Sequence, residues 1–215
     1  MPKQTFFNLQ EEKREAIIEA AIEEFALKDF RSASLSHIVE RLKIAKGSMY
    51  QYFDNKRELY VYLVGVVSQK KLEFLNARIK HEQSGFFDLY KDIIFTAAKF
   101  DLMHPVYSTF LYNVGQDSTN AVLSKDIMDA SIKYIYSILK LSKESKEIRE
   151  DVDLNMAAFI ISYLSVDIGV YLAQKYKFSY LEILKKQDKV LPITDEQLSE
   201  ELDKLINFYR KGIGS

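Results

Sequence analysis

Residues Ser34 to Leu59, SLSHIVERLKIAKGSMYQYFDNKREL, constrain the fold more than any other stretch. Ile38, Val39 and Leu42 recur at helical spacing and form one apolar face; Ile44, Met49, Tyr52 and Phe53 form a second. The pattern predicts two short helices joined by a tight turn, followed at once by a third helix. Between the apolar positions sit Lys46, Ser48, Tyr50 and Gln51, which the core does not require. A short helix with small, basic and phenolic side chains on its outer face suits the major groove of duplex DNA.

The rest of the chain continues in the same style. Three prolines and seven glycines in 215 residues leave little punctuation, so long helices are expected and no strand pattern stands out. The first helix is placed at about 9–27. Ile17, Ala21 and Phe25 lie on one side, Glu12, Glu19 and Glu23 on the other, and Asp29 closes it in a left-handed conformation. Ser34 reads as the N-cap of the second helix, and Asn55 as the cap of the fourth, which runs to about His81. Further helices are expected at 86–103, from Pro105 to Val114, at 120–141, 154–175 and 180–186, and from a Thr194 cap to about Lys211.

Charge is balanced, 30 basic residues against 31 acidic, so a basic footprint must be local. Ser34–Glu58 carries five basic residues and three acidic ones, a modest local excess. Cysteine is absent, which removes thiolate chemistry and zinc–thiolate sites and fits a reducing cytoplasm. His81 and His104 have no ligand spacing, so no metal is expected. No phosphate loop, nucleophile elbow or paired acid–base signature is present, so the chain reads as a non-enzyme with no cofactor. The apolar run Met156–Ala173 is interrupted by Ser162, Ser165, Asp167 and Gly169 and reads as a buried helix rather than a membrane span.

Three blocks then carry a resemblance. Ile17, Ala20, Ala21 and Phe25 fit the form I-x-x-A-A-x-x-x-F. Ile38-Val39-Glu40-Arg41 fits an I-A-E-R-like segment, and Ala45 to Leu59 fits S-K-G-T-L-Y-x-Y-F-x-x-K-x-x-L. Over about Ala16–Tyr60 the chain resembles the TetR family of transcriptional regulators. The resemblance implies an all-α protein in two parts. Residues 1–57 would form a three-helix helix-turn-helix DNA-binding domain, and 58–215 a larger helical domain for effector binding and dimerisation. It further implies a cytoplasmic homodimer that represses from a palindromic operator and is released by a small apolar or amphipathic effector.

Each matched position has a physical role to offer. Lys46 can reach a phosphate as a mobile point charge, and Gly47 lets the backbone come close to DNA. Ser48 can bond a phosphate or a base edge, as Ser34 and Ser36 can from the second helix. Tyr50 offers a ring edge and a hydroxyl, Gln51 lies beside it, and Tyr52 divides between core and phosphate. Lys56 stands at the N-terminus of the fourth helix, where the dipole attracts anions. Three departures from the family pattern stand out. Leu42-Lys43 occupies the turn where Ala-Gly is usual, so a lysine would sit in left-handed backbone at a cost of about 1 kcal/mol. Ala45 removes a capping hydroxyl, and Asp29 replaces a glycine.

In the larger part, the aromatics at helical spacing serve a core or a pocket. Phe95, Tyr107, Phe110, Tyr134, Phe159 and Tyr163 are the candidate effector contacts, with Asn113 or Gln116 as polar anchor. Leu154–Ala173 and the stripe Leu198, Leu202, Leu205, Ile206 and Tyr209 are expected to meet the same helices of a second chain as a four-helix bundle. The alternative function is a helical carrier of lipid-like small molecules that does not bind DNA.

Overall fold

A computed structural model describes residues 1–45, 47–79, 85–117, 121–186 and 191–215. Its helices are α1 (Gln4–Phe7), α2 (Glu11–Leu27), α3 (Leu35–Leu42), α4 (Ser48–Tyr52), α5 (Lys56–Asn76), α6 (Phe86–Met103), α7 (Pro105–Gln116), α8 (Ala121–Glu144), α9 (Leu154–Lys175), α10 (Tyr180–Lys186) and α11 (Asp195–Ile213). Among the described residues the only strand-like pairing is an isolated bridge between Ile148 and Gly214. The protein is all-α, as the scarcity of breakers implied. His81 and Asn120, expected at helix ends, lie outside the described residues.

Packing divides the chain into two compact units: Met1–Leu72 with His104–Leu123 and Tyr180–Lys186, and Glu73–Met103 with Ser124–Ser179 and Gln187–Ser215. In the first unit, α2, α3, α4 and α5 close over Ile17, Ile22, Phe25, Ile38, Met49, Phe53, Leu59 and Leu63. From α7, Phe110 joins this core, its ring 5.4 Å from Tyr60, which is itself 5.0 Å from Phe25. The Asn113 amide nitrogen donates to the carbonyls of Phe25 and Ala26, 3.0 Å each. Those carbonyls belong to the last turn of α2, which has no partners of its own.

In the second unit, α6 and α11 pack together, with Phe86 stacked on Tyr90 and Tyr90 edge-on to Tyr209. The Tyr90 hydroxyl shares a 2.6 Å hydrogen bond with Ser165 of α9. Glu147 caps α6 from a distance, accepting from the N–H groups of Phe86 and Phe87. Thr194 and Gln197 form a reciprocal capping box at the start of α11, and Asp153 caps α9 through the N–H groups of Asn155 and Met156.

Two expectations need correction, and one element is new. Asp29 does not take left-handed backbone; its carboxylate accepts from the Ser32 N–H at 2.7 Å and makes a side-chain turn instead. Among the described residues, the left-handed ones are all lysines, Lys43, Lys146 and Lys177. The α11 stripe is not an open face either. Leu198, Leu202, Ile206 and Tyr209 are buried within their own unit, because α6 offers a complementary apolar surface. Finally, α1 was not anticipated: four residues are too short to show a period.

The open apolar surface belongs to α9. Ala157, Ala158, Ile161, Ser162 and Leu172 are buried, whereas Met156, Phe159, Ile160, Tyr163, Leu164, Val166, Val170 and Tyr171 are exposed. By length and composition alone this helix could also cross a membrane.

Candidate nucleic-acid interface

The turn between α3 and α4 pivots on Lys43, at φ 54° and ψ 38°. The N–H groups of Lys43 and Ile44 close on the carbonyls of Glu40 and Val39, satisfying the end of α3. Lysine thus occupies the position where glycine would cost about 1 kcal/mol less. Short α4 follows; its N-cap is Gly47 rather than the expected Ala45, and glycine has no side chain to cap it.

This geometry sorts the side chains of α4. Met49, Tyr52 and Phe53 face the core, so Tyr52, expected to divide its surface, lies almost wholly inside. Tyr50 is 56% exposed and Gln51 is exposed beside it, while Ser48 is half-buried. Lys46 lies outside the described residues. Gly47 is exposed, its φ is −73°, and a Cβ built on it would meet nothing within 4 Å. Neither its backbone angle nor its neighbours within the chain require glycine there.

Two other expected contact groups have partners of their own. The Lys56 ammonium donates to the carbonyls of Ala33 and Arg31 at 2.8 and 3.2 Å and lies 4.8 Å from the Phe30 ring centre. It therefore ties the start of α5 to the α2–α3 loop. Ser34 holds the N-cap position of α3, but its hydroxyl makes no capping bond. Its N–H donates to Glu24 instead. Ser36 is half-buried in the first turn.

Glu24 is the residue that sequence reading missed. Buried at the end of α2, it accepts from Lys28 at 2.9 Å and from the Ser34 N–H at 3.1 Å, and shares a 2.6 Å bond with the His37 ring. Burial pushes its carboxyl up, but the bonds from Lys28, His37 and Ser34 outweigh that and hold it below the ordinary range. One carboxylate thus fastens α3 to α2. Its helical position beside Phe25 was the available signal, a charge on the apolar side of its helix. At the other end, Asn55 accepts from the Glu58 N–H while Glu58 accepts from the Asp54 N–H, fixing the start of α5.

The candidate effector residues fall into different settings. Phe110 is fully buried in the first unit and Asn113 is bonded to α2. Tyr107 is half-buried, with the Lys70 ammonium 5.6 Å from its ring centre, and Gln116 is exposed. In the second unit Phe95 is half-buried and Tyr134 is 45% exposed, while Phe159 and Tyr163, 4.6 Å apart, stand on the open face of α9.

Comparison with known proteins bears on this arrangement. Residues 17–63, from α2 through most of α5, match the family described as bacterial regulatory proteins, tetR family. A 70-residue segment is 36% identical to an uncharacterized HTH-type transcriptional regulator, YuxN, of Bacillus subtilis strain 168; it covers 32% of this chain but only 24% of that protein. Over 100% of this chain and 99% of the other, the fold matches a TetR family transcriptional regulator of Chloroflexus aurantiacus J-10-FL, with 26% identity and a TM-score of 0.81. The ketosteroid transcriptional regulator KstR2 of Mycobacterium tuberculosis shares the fold at 13% identity and a TM-score of 0.60. These matches are to regulators, and they agree with the turn, the short α4 and the α5 cap seen here: residues 17–63 carry the tetR-family segment, and the chain as a whole has the fold of a TetR family transcriptional regulator.

Proposed function

We propose that the protein is a homodimeric repressor that reads a palindromic operator through α4 and is released by a small apolar or amphipathic effector. The observation that carries the DNA reading is the outer face of α4. Tyr50 and Gln51 stand exposed on a helix whose inner residues are locked in the core, next to a glycine that the fold does not need. Lys46, Ser48, Ser34 and Ser36 supply phosphate or base-edge contacts around them. Lys56 acts chiefly by holding the α2–α3 loop that presents Ser34 and Ser36.

The second copy is argued from α9. Eight exposed apolar side chains on one helix are far more than a solvated surface keeps, and the exposed Asp167 among them disfavours lipid as their cover. A palindromic operator read by a two-fold dimer asks for two α4 helices about one DNA turn apart, roughly 34–36 Å. The effector is assigned to residues 58–215. A ligand reaching Phe110 or Asn113 would have to displace the Tyr60 ring or free the α2 carbonyls, and either event would disturb the DNA-reading helices. Linkage then requires operator and effector to weaken each other by the same factor.

Selection of bound duplexes from a random pool, repeated with apolar carboxylic acids and sterols added, tests this. A recovered palindrome whose binding one ligand weakens supports the proposal. Uptake of such ligands with no preferred duplex would point to a carrier instead.

A further inference from the structure

A five-residue helix cannot hold itself. The last four carbonyls of any helix lack partners within it, and so short a helix is unstable alone. In α4 the Phe53 N–H reaches the Met49 carbonyl at 2.8 Å, which leaves the carbonyls of Tyr50, Gln51 and Tyr52 with nothing ahead of them in the helix. A segment almost fifty residues earlier in the chain takes all three. The Lys3 ammonium donates to the Tyr50 carbonyl at 2.9 Å, the Thr5 hydroxyl donates to the Gln51 carbonyl, and the Lys3 backbone N–H donates to the Tyr52 carbonyl at 2.8 Å. Lys3 also pairs with Asp54 at 2.8 Å, so its charge lies at the negative end of the helix dipole.

The clamp is itself anchored. Phe6 is fully buried, with its ring centre 4.9 Å from Phe53, 5.9 Å from Tyr52 and 5.5 Å from Tyr62. Two of the three clamped carbonyls belong to Tyr50 and Gln51, the exposed residues of α4. A change in the tilt of that last turn would therefore re-aim both side chains together. We propose that Lys3, Thr5 and Phe6 are positioning residues for DNA reading: they form an external C-terminal cap that fixes the recognition helix and so sets sequence discrimination without touching a base. This rests on the assignment of α4 to DNA.

The test uses the full chain and four variants, K3M, T5V, the double K3M/T5V, and the conservative T5S. Amide hydrogen exchange is measured first, without DNA. The double variant should exchange at least about tenfold faster at Tyr52 and Phe53 while the α2 core amides keep their rates; unchanged rates at α4 would overturn the clamp. Binding is then compared between a duplex recovered by selection with the unaltered protein and its scrambled sequence, across salt concentrations. T5V should lower the ratio of the two affinities about tenfold with the melting temperature kept, and T5S should restore it. An equal loss on both duplexes with a smaller salt slope in K3M would make Lys3 a direct phosphate contact and overturn positioning. A lower melting temperature with an unchanged ratio would reduce the segment to packing. If the unaltered protein showed no discrimination, the DNA assignment would fall and the specificity role with it, while exchange would still report whether α4 is clamped.

Discussion

The five residues of α4 and the twenty-two of α9 expose opposite kinds of surface. In α4, everything apolar is turned inward, and the outer face offers a phenol, an amide and a bare backbone at Gly47. Its last carbonyls are satisfied by a distant part of the chain, Lys3 and Thr5. Helix α9 starts from its own Asp153 cap, yet leaves rings and branched side chains in the open. A polar outer face on a borrowed scaffold suits a ligand that is itself polar and charged. An apolar outer face on a self-sufficient helix suits another protein surface, since only a dry partner removes that area from water.

Four experiments break or sharpen the comparison. The largest effect is expected at α9. Placing charges in its open face with F159D and V166D together should leave a monomer at micromolar concentration in sedimentation velocity. It should also weaken operator binding by at least about a hundredfold, because the second half-site loses its tether. A monomeric unaltered protein would show that a second copy does not cover the face.

At α4, Gly47→Ala should weaken DNA binding by about tenfold or more. Its melting temperature should stay level or rise, since a compatible Gly→Ala change adds about 0.4–1 kcal/mol of stability. Unchanged DNA affinity would remove close backbone approach from the reading. Tyr50→Ala should flatten discrimination among duplexes, whereas Lys46→Ala should weaken all of them and lower the salt slope by about one unit per half-site.

A smaller effect belongs to the self-capped helices. Thr194→Ala removes one half of the α11 capping box and should cost about 1 kcal/mol, read as a lower urea midpoint with DNA discrimination intact. The smallest is a pH effect near α9. Glu201, buried on α11, accepts from Lys175 at 2.7 Å, Lys204 at 2.7 Å and the Tyr171 hydroxyl at 3.0 Å. The bonds from Lys175 and Lys204 pull its carboxyl down to about 2. Because the folded value is lowered, the stabilisation is full above the ordinary carboxylate range and is lost as pH falls toward 2. Glu201→Gln should therefore make the urea midpoint less steep between about pH 4.5 and 2. An unaltered slope would show that the ion cluster is not linked to folding.

How much of this was legible depended on the range of the forces involved. The spans of α6 and α9 could be read to the residue, and Pro105 marks the start of α7, because period and caps are local signals. The left-handed lysine of the α3–α4 turn followed from the family resemblance, which sets Leu42-Lys43 where Ala-Gly is usual. The inward side of α4 followed from Met49 and Phe53, though Tyr52 proved more enclosed than its hydroxyl suggested. The placement of Glu24 on the apolar side of α2 was a signal, but its partners, the Ser34 N–H and the His37 ring, were not legible until α3 is laid across it.

Helical class, the order of the helices from α2 onward and the position of α4 were therefore determined by the amino-acid sequence alone, through periodicity, capping chemistry and a fixed spacing of side chains. Tertiary structure alone decided which apolar stripe is spent and which is left. The stripe of α11 is consumed by α6, while that of α9 remains open, although both were expected to meet a second chain. It also decided that Lys3 and Thr5 cap a helix that begins more than forty residues after them. The physical reason is the same in both cases. A carbonyl without a partner and an apolar face without a cover are demands that local sequence creates, but whatever meets them can come from anywhere in the chain.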